Sequence, residues 1–354
     1  MVLTVLNVAY PLAPVGPDAV GGAEQVLSAL DRALVAAGHR SLVVACEGSE
    51  VAGTLCPIPA EPGPLDDAAR QRAWAAQRRV IADCRRRWPI DVVHLHGIDF
   101  DAYLPADGPT LVTLHLPLGW YPAAALQPSR PDLWLHGVSE AQGRDVPPGA
   151  RLLPPIPNGV SIGDGALPHA RRGFALTLGR ICPEKGIHLA LDAARRADVP
   201  LIVAGRLFRY ESHERYFERE VAPRLDGRRR FVGPLGLRRK RRFLAAARCL
   251  LVPSLCPETS SLVAMEALSC GTPVVAFPNG ALPEIVDHGR TGFLVRDVAE
   301  MAEAIRAAAD LDPAECRAEA ARRFSLDRMV DRYIDVYHRL AVCAQPAPAL
   351  RVFG

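Results

Sequence analysis

The chain lacks several things, and each shortage closes off a class of function. No apolar stretch approaches the ~20 residues that a membrane-spanning helix needs, so no span is expected. The nine cysteines, Cys46, Cys56, Cys84, Cys182, Cys249, Cys256, Cys270, Cys316 and Cys343, include no C-x-x-C pair. Neither a zinc site nor a disulfide frame is therefore indicated. Several lie in apolar strands or at helix ends and read as small core residues, and the protein is expected in reducing cytoplasm. The opening run, Val2–Tyr10, lacks a basic leader and is too short for a signal peptide. The net charge of +3 is too small to point to nucleic acid. Basic residues do gather, in Arg85-Arg86-Arg87, Arg228-Arg229-Arg230 and Arg238-Arg239-Lys240-Arg241-Arg242. Each run reads first as a solvated face, and second as a weak membrane-surface or anionic-acceptor patch.

What is present is a globular α/β chain. A length of 354 residues suits two domains. Short apolar runs predict buried parallel strands at Val2–Ala9, Ser41–Ala45, Asp91–Leu95, Thr110–Leu114 and Leu133–Val138. Helices are predicted at Ala23–Ala37 and Asp67–Arg87. A Pro/Gly-rich stretch, Pro147–Pro168, interrupts this pattern. The alternation then resumes, with strands at Phe174–Leu178, Pro200–Val203, Arg230–Val232, Cys249–Val252 and Pro273–Ala276. Helices are expected at Gly186–Arg196, Tyr216–Leu225, Lys240–Arg248, Leu262–Cys270, Val298–Ala309, Pro313–Arg323 and Leu326–Leu340. Two such runs predict two doubly wound, Rossmann-like domains facing a central cleft, with ligands at the carboxyl ends of the strands. The expected division is 1–165, 166–325, a helix over 326–343 packing back on the first domain, and a tail, 344–354.

The densest chemical signal is a pair of glutamates eight residues apart, Glu258 and Glu266, in Pro257-Glu-Thr-Ser-Ser-Leu-Val-Ala-Met-Glu266. The first lies on a loop after an apolar strand. The second lies about one turn into a helix that Ser260 or Ser261 can cap and Gly271 can stop. Between them are the free N–H groups of Ser261, Leu262 and Val263, a setting that favours an anion. Carboxylates flanking an anion site suit a ligand with hydroxyls at both ends and phosphate in the middle, as in a nucleotide-sugar.

This stretch resembles the E-x7-E signature of the family 4 retaining glycosyltransferases, which have the GT-B fold. Leu262-Val263, Glu266-Ala267 and Gly271-Thr-Pro-Val-Val-Ala276 agree with it, while Ser260-Ser261 stands where the family has Phe-Gly. Four further segments match. Gly21-Gly22-Ala23-Glu24 follows the first strand; it is not the G-x-G-x-x-G dinucleotide fingerprint. His115 closes the strand Thr110–Leu114. Gly179-Arg180…Glu184-Lys185-Gly186 joins a strand to a helix, and Phe231-Val-Gly233-Pro234-Leu235-Gly236 resembles a loop whose backbone lines a nucleobase. His94 and His96 share one strand face; His94 reads as structural and His96 as a possible cleft residue.

The resemblance implies transfer of a sugar from a nucleotide-diphosphate donor with retention. It places Arg180 and Lys185 on the diphosphate, Glu266 on the ribose, Glu258 on the sugar and His115 beside the transferred sugar. It adds Gly21, Gly22, Ser260, Ser261, Leu262, Val263, Gly233, Pro234 and Leu235 to the donor site. Gly22, His96 and His115 are assigned to the acceptor. No cofactor is called for beyond a nucleotide-diphosphate-sugar co-substrate, UDP-, GDP- or other. The acceptor would be a glycan, a lipid or a small molecule. Asp99-Phe100-Asp101 looks like the D-x-D metal site of the other glycosyltransferase fold, yet Arg180 and Lys185 already supply that charge, so no metal is expected. A sugar-nucleotide epimerase of the same fold and a non-catalytic nucleotide-sugar-binding protein are the rival readings.

Overall fold

The computed structural model describes residues 1–61, 66–144, 146–150, 152–163 and 173–343. The expected domain boundary at 165/166 and the tail 344–354 lie outside them. The described chain forms two compact units. One comprises Met1–Val138, Gly143–Ile156 and the chain from Met329; the other comprises Ser139–Gln142 and Pro157–Arg328.

The first unit holds a seven-stranded sheet of β1 (Thr4–Val8), β2 (Arg40–Cys46), β3 (Thr54–Ile58), β4 (Val92–Leu95), β5 (Thr110–Leu114), β6 (Leu133–Gly137) and β7 (Leu152–Leu153), ordered β3-β2-β1-β4-β5-β6-β7. The second holds β8 (Ala175–Leu178), β9 (Leu201–Ala204), β10 (Arg229–Phe231), β11 (Cys249–Val252), β12 (Val274–Ala276) and β13 (Gly292–Leu294), ordered β10-β9-β8-β11-β12-β13. All strand pairings are parallel.

The apolar runs explain this. A parallel sheet is covered by helices on both faces, so its strands need apolar residues at successive positions. Every residue of β1, β11 and β12 is buried. Leu251 and Val275 enter one core of the second unit, and Leu250, Val252, Val274 and Ala276 enter the core on the opposite face. In both sheets the strand order reverses beside the first strand of the set, between β1 and β4 and between β8 and β11. In doubly wound sheets the crevice at that reversal is where ligands bind.

Three strands and two four-residue helices, Glu140–Gly143 and Leu282–Ile285, escape the sequence pattern. β3 contains Pro57, which a central strand would not tolerate, but β3 is the sheet edge. β7 and β13 are two and three residues long, and the helix Leu282–Ile285 has four residues. The helix expected over Tyr216–Leu225 begins earlier, at Glu211. It then changes pitch, through a π turn at Phe217–Val221 and a 3-10 turn at Ala222–Arg224 that contains Pro223. Proline has no N–H for the helical ladder, so the helix ends there. Among the described residues no cysteine is in a disulfide, and no helix is long and apolar enough to cross a membrane.

Candidate functional site

In the second unit the loop after β8 carries Arg180 and Lys185. Gly186 ends it at φ 61°, and a Cβ there would meet the Pro253 carbonyl at 2.2 Å, so the loop rests directly on the backbone that follows β11. That contact brings Lys185 to Glu258. Its Nζ donates to Glu258 Oε1 over 2.6 Å, with side chains 24% and 10% exposed. The Ser254 hydroxyl donates to the same oxygen. The Glu258 loop is pinned from behind: Ala281 N–H donates to the Glu258 carbonyl at 2.7 Å, and Asn279 Nδ2 donates to the Ser254 carbonyl at 2.5 Å. Gly280, at φ 63°, lies so close that a Cβ would be 2.2 Å from the Glu258 carbonyl oxygen. Arg180 is exposed. Its guanidinium makes no hydrogen bond or ion pair among the described residues.

The helix after Glu258 spans Leu262–Ser269. Ser261 occupies its N-cap position, but no side-chain cap bond forms. The expectation that Ser260 or Ser261 caps the helix is therefore corrected: the Ser260 hydroxyl is buried without a partner, and Ser261 is buried too. At its backbone, Ser261 has φ −89° and ψ 87°. Among the described residues no acceptor meets the N–H groups at the helix head, as an anion site requires.

One turn in, Glu266 Oε1 accepts from Lys240 Nζ at 2.6 Å, while its other oxygen, Oε2, is buried without a hydrogen-bond partner. The side chains of this pair are only 16% and 17% exposed. Lys240 is a residue that the sequence reading missed. It sits in a basic run taken for a solvated face, and only the packing of helix Leu237–Ala246 beside Leu262–Ser269 reveals its partner. The loop over Gly233, Pro234 and Leu235 leads into that same helix, anchored by Gly205 N–H donating to the Gly233 carbonyl at 3.0 Å.

The first unit is chemically different. Gly21 is the N-cap of helix Gly22–Ala36, and a Cβ on it would fall 1.9 Å from Glu24 Oε2. Burial raises the Glu24 carboxyl above its usual range. At the end of β4, His96 Nδ1 lies 3.0 Å from His115 Nε2, which follows β5, and the rings stack at 19°. His96 Nε2 is buried with no partner.

Behind them lies a closed network. His94 joins Tyr337 OH and Thr113 Oγ1, both at 2.7 Å. Thr113 Oγ1 also meets His136 Nε2 at 2.7 Å and Tyr333 OH at 3.2 Å. One hydroxyl offers one donor and two acceptor positions, so Thr113 is saturated and His94 is structural in these contacts. Burial first, and neighbouring imidazoles second, hold His94 and His96 well below their ordinary range. The same causes bring His115 to about 3. Burial alone brings His136 to about 4. All four rings are therefore neutral near pH 7.

The two carboxylates of Asp99-Phe100-Asp101 sit in different surroundings. Trp74 Nε1 and Tyr103 OH both donate to Asp99, the latter at 2.8 Å, while Asp101 is exposed.

Comparison with known proteins agrees with the two-unit picture. The model for "Glycosyltransferase Family 4" matches residues 20–138, and that for "Glycosyl transferases group 1" matches residues 173–310. The chain is 28% identical to the phosphatidyl-myo-inositol mannosyltransferase of Mycobacterium leprae, over 93% of this chain and 96% of that protein. It is 31% identical to the D-inositol 3-phosphate glycosyltransferase of a Nocardioides species. That match covers 71% of this chain, which spans about half, 48%, of the relative. Among solved structures it resembles a glycosyltransferase involved in avilamycin A biosynthesis, with TM-score 0.73 and 26% identity over 97% of this chain and 99% of that one. The two-sheet architecture is that of the GT-B fold.

Proposed function

The chain belongs to glycosyltransferase family 4, and from that premise we propose that it moves a glycosyl group from a nucleotide-diphosphate-sugar to an acceptor hydroxyl with retention of configuration. The observation that carries this reading is the distribution of bonded and unbonded polar groups in the second unit. Glu258 and Glu266 each have one oxygen held 2.6 Å from a lysine. Glu266 Oε2, the head of helix Leu262–Ser269 and the Arg180 guanidinium have no protein partner among the described residues. Such a surface complements a ligand that is anionic at its centre and hydroxylated at its ends.

In this reading Glu266 takes the ribose hydroxyls, Glu258 takes those of the transferred sugar, and the backbone at Gly233, Pro234 and Leu235 lines the base. Arg180, Lys185 and the N–H groups of Ser261, Leu262 and Val263 stabilise the charge that develops on the departing diphosphate. Glu258 already accepts from Lys185 and Ser254, which blunts it as a nucleophile. Retention is therefore assigned to attack from the leaving-group face, guided by a diphosphate oxygen, rather than to a glycosyl-enzyme. No divalent cation is needed on the diphosphate, because side-chain cations and the helix head supply its charge. The acceptor, whether glycan, lipid or small molecule, is assigned to Gly22, His96 and His115. These imidazoles are neutral and act as hydrogen-bond partners, not as charges. The cytoplasm is the proposed compartment, supported by cysteines that form no disulfide among the described residues. The relatives named above are all transferases, so the epimerase and binding-only readings are not carried further.

The test is incubation with labelled UDP-, GDP-, ADP- and dTDP-sugars plus an acceptor mixture, in the absence of added divalent cation. Release of nucleoside diphosphate with a product of unchanged anomeric configuration is expected. An inverted anomer would overturn retention, an epimerised donor would overturn transfer, and an absolute requirement for Mn²⁺ or Mg²⁺ would overturn metal independence.

A further inference from the structure

Beneath the Arg180–Lys185 loop the fold gathers three groups that the donor reading leaves unused. Cys182, Glu184 and His213 present a thiol sulfur, a carboxylate oxygen and a ring nitrogen that all lie within 4.8 Å of one another. All three residues belong to the second unit. Cys182 precedes the one-turn helix Pro183–Lys185, which contains Glu184, while His213 comes from the helix Glu211–Tyr216. Cys182 is fully buried, and His213 is 8% exposed.

His213 is the telling member. Its Nδ1 is buried with no hydrogen-bond partner, although buried polar atoms are seldom left unsatisfied. Its ring is also held in place. Tyr210 meets it edge-on at 5.1 Å and 89°, and Phe208 at 6.5 Å and 73°. A ring fixed in orientation, with one ring nitrogen idle and a ring nitrogen within 4.8 Å of a thiol and a carboxylate, is a preorganised ligand set.

We propose that Cys182, Glu184 and His213 bind one zinc ion, which staples the loop bearing Arg180 and Lys185 to the helix Glu211–Tyr216. The donor set selects the metal. Magnesium and calcium take oxygen ligands, whereas thiolate with imidazole and carboxylate suits Zn²⁺. Around a tetrahedral zinc, ligand atoms stand roughly 3.3–3.7 Å apart, so closing the present spacing takes a shift of about 1 Å. Glu184 is exposed, and its carboxylate already bonds the Cys182 thiol, so the shift is a small one. On binding, the Cys182 thiol gives its proton to solvent and the sulfur bonds to the metal. Three protein ligands leave a fourth position for water. The ion is not placed on the diphosphate, so the proposal goes beyond the transfer reading and leaves its metal independence intact.

The plainer account is a hydrogen-bonded trio, with the thiol donating to the Arg180 carbonyl 3.7 Å away. Metal titration separates the two. Full-length protein stripped of metal by a chelator is titrated with Zn²⁺ by calorimetry, and with Co²⁺ by absorption. One equivalent of each is expected, with a thiolate-to-cobalt charge-transfer band in the Co²⁺ form. Cys182→Ser should lose that band, and Glu184→Gln should bind Zn²⁺ at least tenfold more weakly. Glu184 is exposed, so its variant tests the site without disturbing the core. Cys270→Ser, at a half-buried thiol outside this group, should match wild type. Failure of wild type to bind a stoichiometric ion, or a band that survives Cys182→Ser, would overturn the proposal. Neither result bears on sugar transfer, because the readout is metal and not turnover.

Discussion

The two units use the same sheet topology for opposite electrostatics. In the second, the loops and helices that follow β8, β10 and β11 present charge: two lysine–glutamate pairs at 2.6 Å, and an arginine with no partner among the described residues. In the first, the ends of β4 and β5 present neutral rings, His96 and His115, backed by the saturated Thr113 network. The difference teaches where each kind of work can be done. A diphosphate needs cations that are held in place but not neutralised beyond rescue. Lys185 and Lys240 are each tied to a carboxylate that has a further oxygen to offer, and Arg180 to none. A hydroxyl acceptor needs hydrogen-bond partners, and an imidazole whose proton affinity has been lowered by burial supplies a partner without supplying charge.

The largest expected break in this comparison is Lys185→Ala. It leaves Glu258 without its ion-pair partner and, in the proposed reading, removes a cation from the diphosphate. Loss of a transition-state donor typically costs about 10²–10³ in kcat, and that fall is expected in steady-state kinetics with the best donor. Activity within threefold of wild type would remove Lys185 from the chemistry. Next come the two carboxylates. Glu258→Gln should lower kcat by about tenfold or more, because its partners sit on the reacting sugar. Glu266→Gln should mainly raise KM, since ribose contacts are alike in ground and transition states. The opposite split would mean that the two ends of the ligand are exchanged.

The first unit should instead show itself in acid. Unfolded histidines titrate near 6.5, whereas burial holds His136 at about 4 and His115 at about 3 in the fold. The unfolded chain therefore binds more protons between those values. The neutral-ring contribution to stability is complete above pH ~6.5 and is lost as pH falls through the window towards 4. His136→Gln should flatten the stability-against-pH slope by one proton, about 1.4 kcal/mol per pH unit. An unchanged slope in chemical denaturation at pH 4.5–6.5 would contradict it. The smallest expected effect is that of Ser261→Gly, in the place where the family has glycine. Because Ser261 makes no cap bond, its removal should leave stability nearly unchanged. It should shift the kcat/KM ratio between two donor sugars by about 1 kcal/mol. A constant ratio would make the serine neutral.

What could be read in the sequence was whatever is local in the chain. Glu258, Glu266, Arg180 and Lys185 stand in short strings whose strand, loop and helix follow from apolar runs and glycines. Contacts between distant segments were hidden. Lys240 lies in a run of five basic residues whose composition says only that it is solvated; its burial against Glu266 depends on two helices packing. The Thr113 hub needs the registry of β4, β5 and β6 together with the helix Leu326–Cys343. The Cys182–Glu184–His213 group joins two segments, the loop after β8 and the helix Glu211–Tyr216, with no fixed spacing between them. The serine caps were misread because a side-chain cap requires a backbone angle at Ser261 that residue type does not report. β3 is not legible locally: Pro57 argues against a strand unless the strand lies at the sheet edge, as β3 does.

Calorimetric titration of nucleoside diphosphates tests the division of labour most directly. UDP, GDP, ADP and dTDP are titrated into wild type, and the one that binds best is then titrated into Lys185→Ala and His115→Ala. The account predicts that Lys185→Ala weakens binding about tenfold or more, the scale of a lost charge-assisted contact, while His115→Ala stays within about threefold. Loss of nucleotide affinity in His115→Ala with full affinity in Lys185→Ala would contradict it.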